Sequence, residues 1–384
     1  MNSFMSAAEI LRDLVAIPTT SAVSNVPLVE WVRWFLEPRG WTVERLPYED
    51  ESGIAKANLI AWPGSSERRE HIDLAFVCHT DTVPYAEKWS DALVLGEHEG
   101  QLHGCGSCDV KGALACFLAA VSDLDGSAIL ASVALILTAD EEIGCKGMER
   151  LLAVTNLRIR SAIVSEPTSL RAGIAGKGYG LARITVEGTE AHSAFPQQGV
   201  SAISVAARMI ARIEDTFAVR GMDAPFDGLF DPPRTTLNIG TIEGGSAKNI
   251  IAARCSFLVE WRAIPGENPV EMLRHLRNLL VEAHAAEPRA VFRLESLRAE
   301  PGFSPAAPAS KGLLQSRLAE LLPGGPVGIS FGSEASRVAR VADEVIVIGP
   351  GDMRSAHSER ECVPIAELDL WTSVLRQILE ERQL

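Results

Sequence analysis

The sequence has no run of lysines or arginines, and its formal net charge is −14 over 384 residues. A nucleic-acid backbone or an anionic membrane is therefore a poor partner, and a small molecule or a metal cation a better one. No segment approaches the roughly 18 consecutive apolar residues that span a bilayer, so no membrane association is expected. The opening MNSFMSAAEILRDLVAIP lacks the basic start and unbroken apolar run of a secretory signal, because Glu9, Arg12 and Asp13 interrupt it at helical spacing. It predicts an amphipathic helix. The glycine-rich GIAGKGYG lacks GxGxxG order and has no Ser or Thr after its Gly-Lys pair, which argues against phosphate binding and fits a hinge between domains. Cys105 and Cys108 make one CxxC without a second, and no histidine pair at finger spacing accompanies them. They read as small residues packing a tight turn rather than as half a zinc finger or a redox pair. The seven cysteines are odd in number and several lie in apolar surroundings, which suggests reduced thiols and a cytoplasmic address. Internal repeats and low-complexity tracts are also lacking.

With 47% hydrophobic and 22% charged residues the chain can bury a large core, and its length suggests two domains. Up to about residue 177, helical patterns such as VEWVRWFLEPRG and KGALACFLAAVSDL alternate with buried-strand patterns such as LAFVCHTD, ASVALILTADEE and SAIVSEPT. That alternation predicts an α/β domain with helices on both faces of a mixed sheet. From 178 to 297 the order becomes β-α-β-β-α-β with half-polar strands, the ferredoxin-like pattern of an inserted domain. MDAPFDGLFDPP reads as a loop within it. After Pro301 the α/β style returns, so the first domain is expected to comprise 1–177 and 298–384.

Four of the buried-strand patterns run out into polar groups: His79 and Asp81, Glu141 and Glu142, Glu166, and a loop carrying His357. Ligands of open α/β sheets bind beyond the carboxyl ends of the strands, so these groups can converge, with Asp109 joining them from a helix start. Any one of them alone is more ordinarily a hydrogen-bonded strand end or a solvated turn. Together they make a nitrogen and oxygen donor set suited to zinc, with manganese and cobalt as alternatives. In HTD, residues i and i+2 face the same way, so Asp81 is placed to hold the second imidazole nitrogen of His79. In the Glu141-Glu142 pair the side chains diverge, so one can bind metal while the other takes a proton from water.

HTDTVP, GCGSCDVKG, ADEEIG, SEPT, EAHSAFPQQGVSAI and GPGDMRSAH occur in an order and spacing that resembles the dinuclear-zinc aminoacylase and carboxypeptidase-like metallohydrolases. The resemblance covers nearly the whole chain. It implies two zinc ions, replaceable by cobalt, with His79 and Glu166 on one, Glu142 and His357 on the other, and Asp109 bridging. It further implies Asp81 behind His79, Glu141 as general base, and His192 reaching a partner subunit's site to bind the developing oxyanion. Asn249 and Arg262 would bind substrate, Arg262 by a bidentate fork to a carboxylate. The inserted domain would serve as lid and dimerisation domain of a homodimer. The implied reaction is hydrolysis of an N-acyl amino acid, in the first place removal of an Nα-acetyl group. Succinyl-diaminopimelate desuccinylases, acetylcitrulline or acetyl-lysine deacetylases and dipeptidases of the same family, and a non-catalytic metal-binding protein on the same fold, are the alternatives. Glu334 in FGSEA either faces a cationic substrate side chain, favouring a basic amino acid, or is a solvated loop charge.

Overall fold

The structure is a computed structural model that describes residues 5–64, 70–124, 132–223, 225–306 and 313–380. The chain divides into two compact units: Met1–Ile174, Pro305–Val327 and Ser333–Leu384 form one, and Ala175–Ser304 with Gly328–Gly332 the other. The second unit is thus wider than the 178–297 read from the pattern.

The first unit carries β1 (Trp41–Glu49), β2 (Ala55–Pro63), β3 (His71–His79), β4 (Gly96–His98), β5 (Gln101–His103), β6 (Val133–Thr138) and β7 (Arg158–Val164). The chain passes into the second unit within β8 (Gly173–Gly176) and there forms β9 (Tyr179–Glu187), β10 (Thr236–Gly244), β11 (Arg254–Arg262) and β12 (Val291–Glu300). It returns through β13 (Val327–Ile329) to β14 (Ala342–Val347) and β15 (Cys362–Pro364). The main sheet runs β1-β2-β6-β3-β7-β14-β8-β13. Its centre, β6-β3-β7-β14, is parallel, and β1 and β2 form an antiparallel hairpin at one edge. All six residues of β6 are buried, and because strand side chains alternate, both faces of the sheet are covered. This is the α/β fold that the alternating patterns predict.

The helix Lys111–Ala120 is buried along its whole length, as a helix apolar all round must be. It packs against the helices Ala7–Val15 and Ile365–Glu380. Phe117 fixes it to the sheet, stacking on Phe76 of β3 at 4.8 Å and meeting Trp41 edge-on at 5.9 Å. Ala7–Val15 is the amphipathic helix expected at the start, opened by a capping box between Ser6 and Glu9. The hairpin β1–β2, the helix Lys146–Val154 and a small sheet in the order β15-β5-β4 do not stand out in the sequence. In β1, WTVERLPYE, a proline and mixed polarity mask an edge strand.

The second unit is a four-stranded antiparallel sheet, β10-β11-β9-β12, with helices Ala202–Asp223 and Pro269–Ala286 in the β-α-β-β-α-β order expected. Alternate residues of β9 (Ala182, Ile184, Val186) and β11 (Cys255, Phe257, Val259, Trp261) enter its core with Met209, Ile213, Leu276 and Leu279 of the helices. Gly180 is glycine because the Trp261 indole lies where a Cβ would sit, 1.9 Å from Cε2. The first helix extends into MDAPFDGLFDPP as far as Asp223, two residues short of Pro225. No helix among the described residues is long and apolar enough to cross a membrane.

Candidate metal centre

Because β6, β3, β7 and β14 are parallel, their carboxyl ends lie along one edge of the sheet. β3 ends at His79, level with Thr138 of β6. Val77 of β3 pairs with Val164 of β7, so Glu166, two residues beyond, comes level with His79. Asp109 stands just ahead of the buried helix Lys111–Ala120, and His357 lies in the loop between β14 and β15.

Two triads result: His79, Asp109 and Glu166, all buried, and Asp109, Glu142 and His357, of which His357 is exposed. In each, one ligand atom per residue lies within 4.8 Å of the others. Asp109 belongs to both, its Oδ1 3.0 Å from His79 Nε2 and its Oδ2 3.0 Å from His357 Nε2. His357 Nε2 also lies 3.2 Å from Glu142 Oε1. Beside His357 opens a cavity of about 470 Å³, with Tyr85, Trp89 and Arg360 in its wall.

The charges show what this arrangement suits. Burial, reinforced by the Glu142, Glu334 and Asp81 charges against the opposing His79, pushes the Glu141 carboxyl up to about 8. Burial and then the Asp109 charge hold Glu166 well above the carboxylate range, and burial raises Glu142 as well. Burial alone would push Asp109 the same way, but hydrogen bonds from His357 and His79 keep it ionised well below its usual value. Carboxylates crowded in this way repel one another, and a divalent cation among them removes that cost. Two imidazoles and three carboxylates, with one triad open to solvent, fit two hard-to-borderline cations with exchangeable positions.

The turn carrying Glu141 and Glu142 is held by groups the sequence did not reveal. Asp140 adopts φ +57°, a left-handed conformation that aspartate tolerates, and so turns the chain off the end of β6. Its carboxylate is fully buried, 2.9 Å from Lys56 Nζ, and accepts the Tyr48 hydroxyl at 2.8 Å. Asp81 accepts the Glu141 N–H at 3.0 Å on Oδ1, and on Oδ2 the Glu142 N–H at 3.2 Å and the Ser21 hydroxyl at 2.7 Å. Spacing had placed the Asp81 carboxylate on His79 Nδ1. It stands 3.8 Å away, and Nδ1 meets the Asp81 backbone carbonyl at 2.9 Å. The reason is local: β3 ends at His79, so the i, i+2 alternation no longer applies. Glu361, also unforeseen, is buried and accepts three backbone N–H groups from the turn before Asp109. No local signal marks Lys56 or Glu361: Asp140 lies 84 residues from Lys56 (140 − 56 = 84), and the amides that Glu361 holds lie 252 or more away.

Glu334 is 1% exposed and accepts the Thr138 hydroxyl at 2.6 Å, so it is not a solvated loop charge. Burial pushes its carboxyl up to about 7. In the second unit His192 is exposed, and its Nδ1 accepts the Ala194 N–H at 3.1 Å. The neighbouring Asn249 offers its carbonyl to the Ser193 N–H at 3.0 Å. Arg262 donates from Nε to Glu260 at 2.8 Å and lies over the Tyr179 ring at 4.3 Å. Cys105 and Cys108 are free, buried thiols. Gly328–Gly332 spells Gly-x-Ser-x-Gly, but the Ser330 hydroxyl donates to the Asp231 carbonyl at 3.1 Å rather than to a base, as a serine nucleophile would need.

A family model described as peptidase family M20/M25/M40 matches residues 75–381. An acetylornithine deacetylase of Myxococcus xanthus is 40% identical over 365 residues, 95% of this chain and 94% of that one. One from Yersinia pseudotuberculosis is 32% identical over 97% of this chain and 96% of its own. Among solved structures, a tripeptidase from Staphylococcus aureus shares the fold with a TM-score of 0.76 at 20% identity, covering 99% of this chain and 98% of that one. The strand-end histidines and acids therefore sit in a chain that belongs to peptidase family M20/M25/M40.

Proposed function

We propose that this metallohydrolase removes the acetyl group from Nα-acetylornithine, giving ornithine and acetate, a step of arginine biosynthesis. The observation that carries the reading is the pair of triads sharing Asp109 with Glu141 beside them. The 40% identity to an acetylornithine deacetylase over nearly both chains supports the substrate.

In this reading His79, Asp109 and Glu166 hold one zinc ion and Asp109, Glu142 and His357 a second, with cobalt as a substitute. Such ions, when bound, supply Lewis acidity and bring the pKa of water near neutrality. Glu141 takes the proton of the water that attacks the acetyl carbonyl carbon. It then delivers that proton to the amine nitrogen as the C–N bond breaks. Asp81 fixes the Glu141 and Glu142 amides and so aims both carboxylates. His192 donates to the developing oxyanion from the partner subunit of a homodimer. Its Nδ1 accepts the Ala194 amide, which leaves the proton on Nε2. Arg262 and Asn249 bind the substrate, Arg262 by its carboxylate, and Glu334 faces the ornithine ammonium. The second unit acts as lid and dimerisation domain, a role supported by its exposed Phe195, Ile203, Ile242 and Ile250. Free thiols at all seven cysteines support a cytoplasmic location.

The test is release of free amine from acetylornithine, acetylcitrulline, acetyl-lysine, acetylmethionine, N-succinyl-diaminopimelate and dipeptides by metal-stripped protein resupplied with zinc or cobalt. Metal-dependent turnover led by acetylornithine is expected. Turnover led by a succinyl substrate or a dipeptide would overturn the substrate assignment and leave the chemistry standing.

A further inference from the structure

The turn Gly104–Asp109 is an anion-binding concavity already filled from within the chain. Gly106 has φ +76° and no room for a Cβ, which would come 2.8 Å from Thr82 Cγ2. The turn directs three backbone N–H groups, those of Gly106, Cys108 and Asp109, at one carboxylate. Glu361 Oε2 accepts from Gly106 at 3.0 Å, and Oε1 accepts from both Cys108 and Asp109 at 3.0 Å. Backbone N–H groups gathered in such a turn bind anions well. Antiparallel pairing delivers the occupant: β5 and β15 pair from Cys362 with His103 to Pro364 with Gln101, which sets Glu361 opposite Gly104. Glu361 is 2% exposed and lies four residues after His357.

A buried carboxylate hydrogen-bonded to the backbone N–H of the buried Asp109 adds like charge to a crowded site, so packing alone does not account for it. We infer that Glu361 is a positioning residue of the metal centre: by holding the Cys108 and Asp109 amides it fixes the carboxylate shared by both triads, and by its place in the His357 loop it ties the two halves of the centre together. The inference rests on the reading of Asp109 as a shared metal ligand. It requires both metal equivalents to depend on Glu361, because both triads contain Asp109. Outer partners of metal ligands typically contribute about 10–100-fold in affinity.

Cobalt titration of metal-stripped protein, read by visible absorption and by competition with a chelator, tests this. Glu361→Gln keeps the shape, but its single acceptor oxygen cannot serve both sides of the turn and its amide hydrogens face N–H donors. It is expected to weaken both equivalents about 10–100-fold, alter the cobalt spectrum, and lower kcat with KM little changed. Glu361→Asp, which keeps two acceptor oxygens, should recover part of the affinity. Ser358→Ala, in the same loop but away from these amides, should bind as wild type. Wild-type affinity and spectrum in Glu361→Gln would overturn the inference. So would failure of both Glu361 variants to fold without metal, since the carboxylate would then support the fold generally. A wild-type chain that binds no cobalt would instead sink the metal-centre reading itself.

Discussion

Glu141 and Glu142 are adjacent in the chain yet have different neighbours. Glu142 lies 3.2 Å from His357 within a triad, whereas Glu141 belongs to neither and has the Cys145 thiol at 3.2 Å. Glu141→Gln should therefore retain metal and lose about 10²–10⁴-fold in kcat, the usual contribution of general acid–base catalysis. Steady-state kinetics with parallel metal analysis checks this, and activity within tenfold of wild type would refute the role. His192→Ala should lower kcat about 10²–10³-fold without lowering metal content, as expected for a lost oxyanion donor. The divergence of the two glutamates was legible from their adjacency alone. What steadies them was not, because Asp81 acts on their amides from beyond the end of another strand, β3.

Strand ends depend on how each element is closed off. The β6 turn is pinned by Asp140 against Lys56 of β2, both with fully buried side chains, the lysine also donating to the Ser21 carbonyl at 2.7 Å. Lys56→Met would leave a buried carboxylate without its cation and should destabilise the fold by about 3–5 kcal/mol in urea melts. A change under 1 kcal/mol would mean that water replaces the ammonium there. The next helix approaches the same turn so closely that a Cβ on Gly147 would lie 2.1 Å from the Ala139 carbonyl oxygen. The buried strands and the all-apolar helix were legible because continuous apolar runs have few other uses. The edge hairpin and the three-residue strands of the small sheet were not, since pairing rather than composition defines them.

For the whole molecule, removal of metal should reverse how stability depends on pH. Without metal, Glu141 has its folded pKa raised to about 8, and Glu166 and Glu142 are raised too. A raised carboxylate makes the folded state the greater binder of protons above the ordinary value near 4.5, so stability falls as pH climbs toward 8. His357 acts in the same direction: Asp109 and then Glu142 raise it to about 10, so its contribution is complete below pH 6.5 and fades above. The metal-free melting temperature should thus drop between pH 5 and 8. That of the metal-loaded protein should not, because the ligands shed these protons on binding and metal affinity rises with pH. Calorimetry of both forms across that range decides, and parallel curves would speak against a clustered site.

Sequence by itself determined the α/β and β-α-β-β-α-β order, and the residues of both triads. Apolar runs, periodicity and strand-end chemistry are local properties of the chain. Tertiary structure alone decided that the Asp81 carboxylate serves the glutamate amides rather than His79, that Glu334 is buried, and that Lys56 and Glu361 brace the site. Those facts depend on which distant segments meet, and a buried charge is written in one place while its partner is written in another.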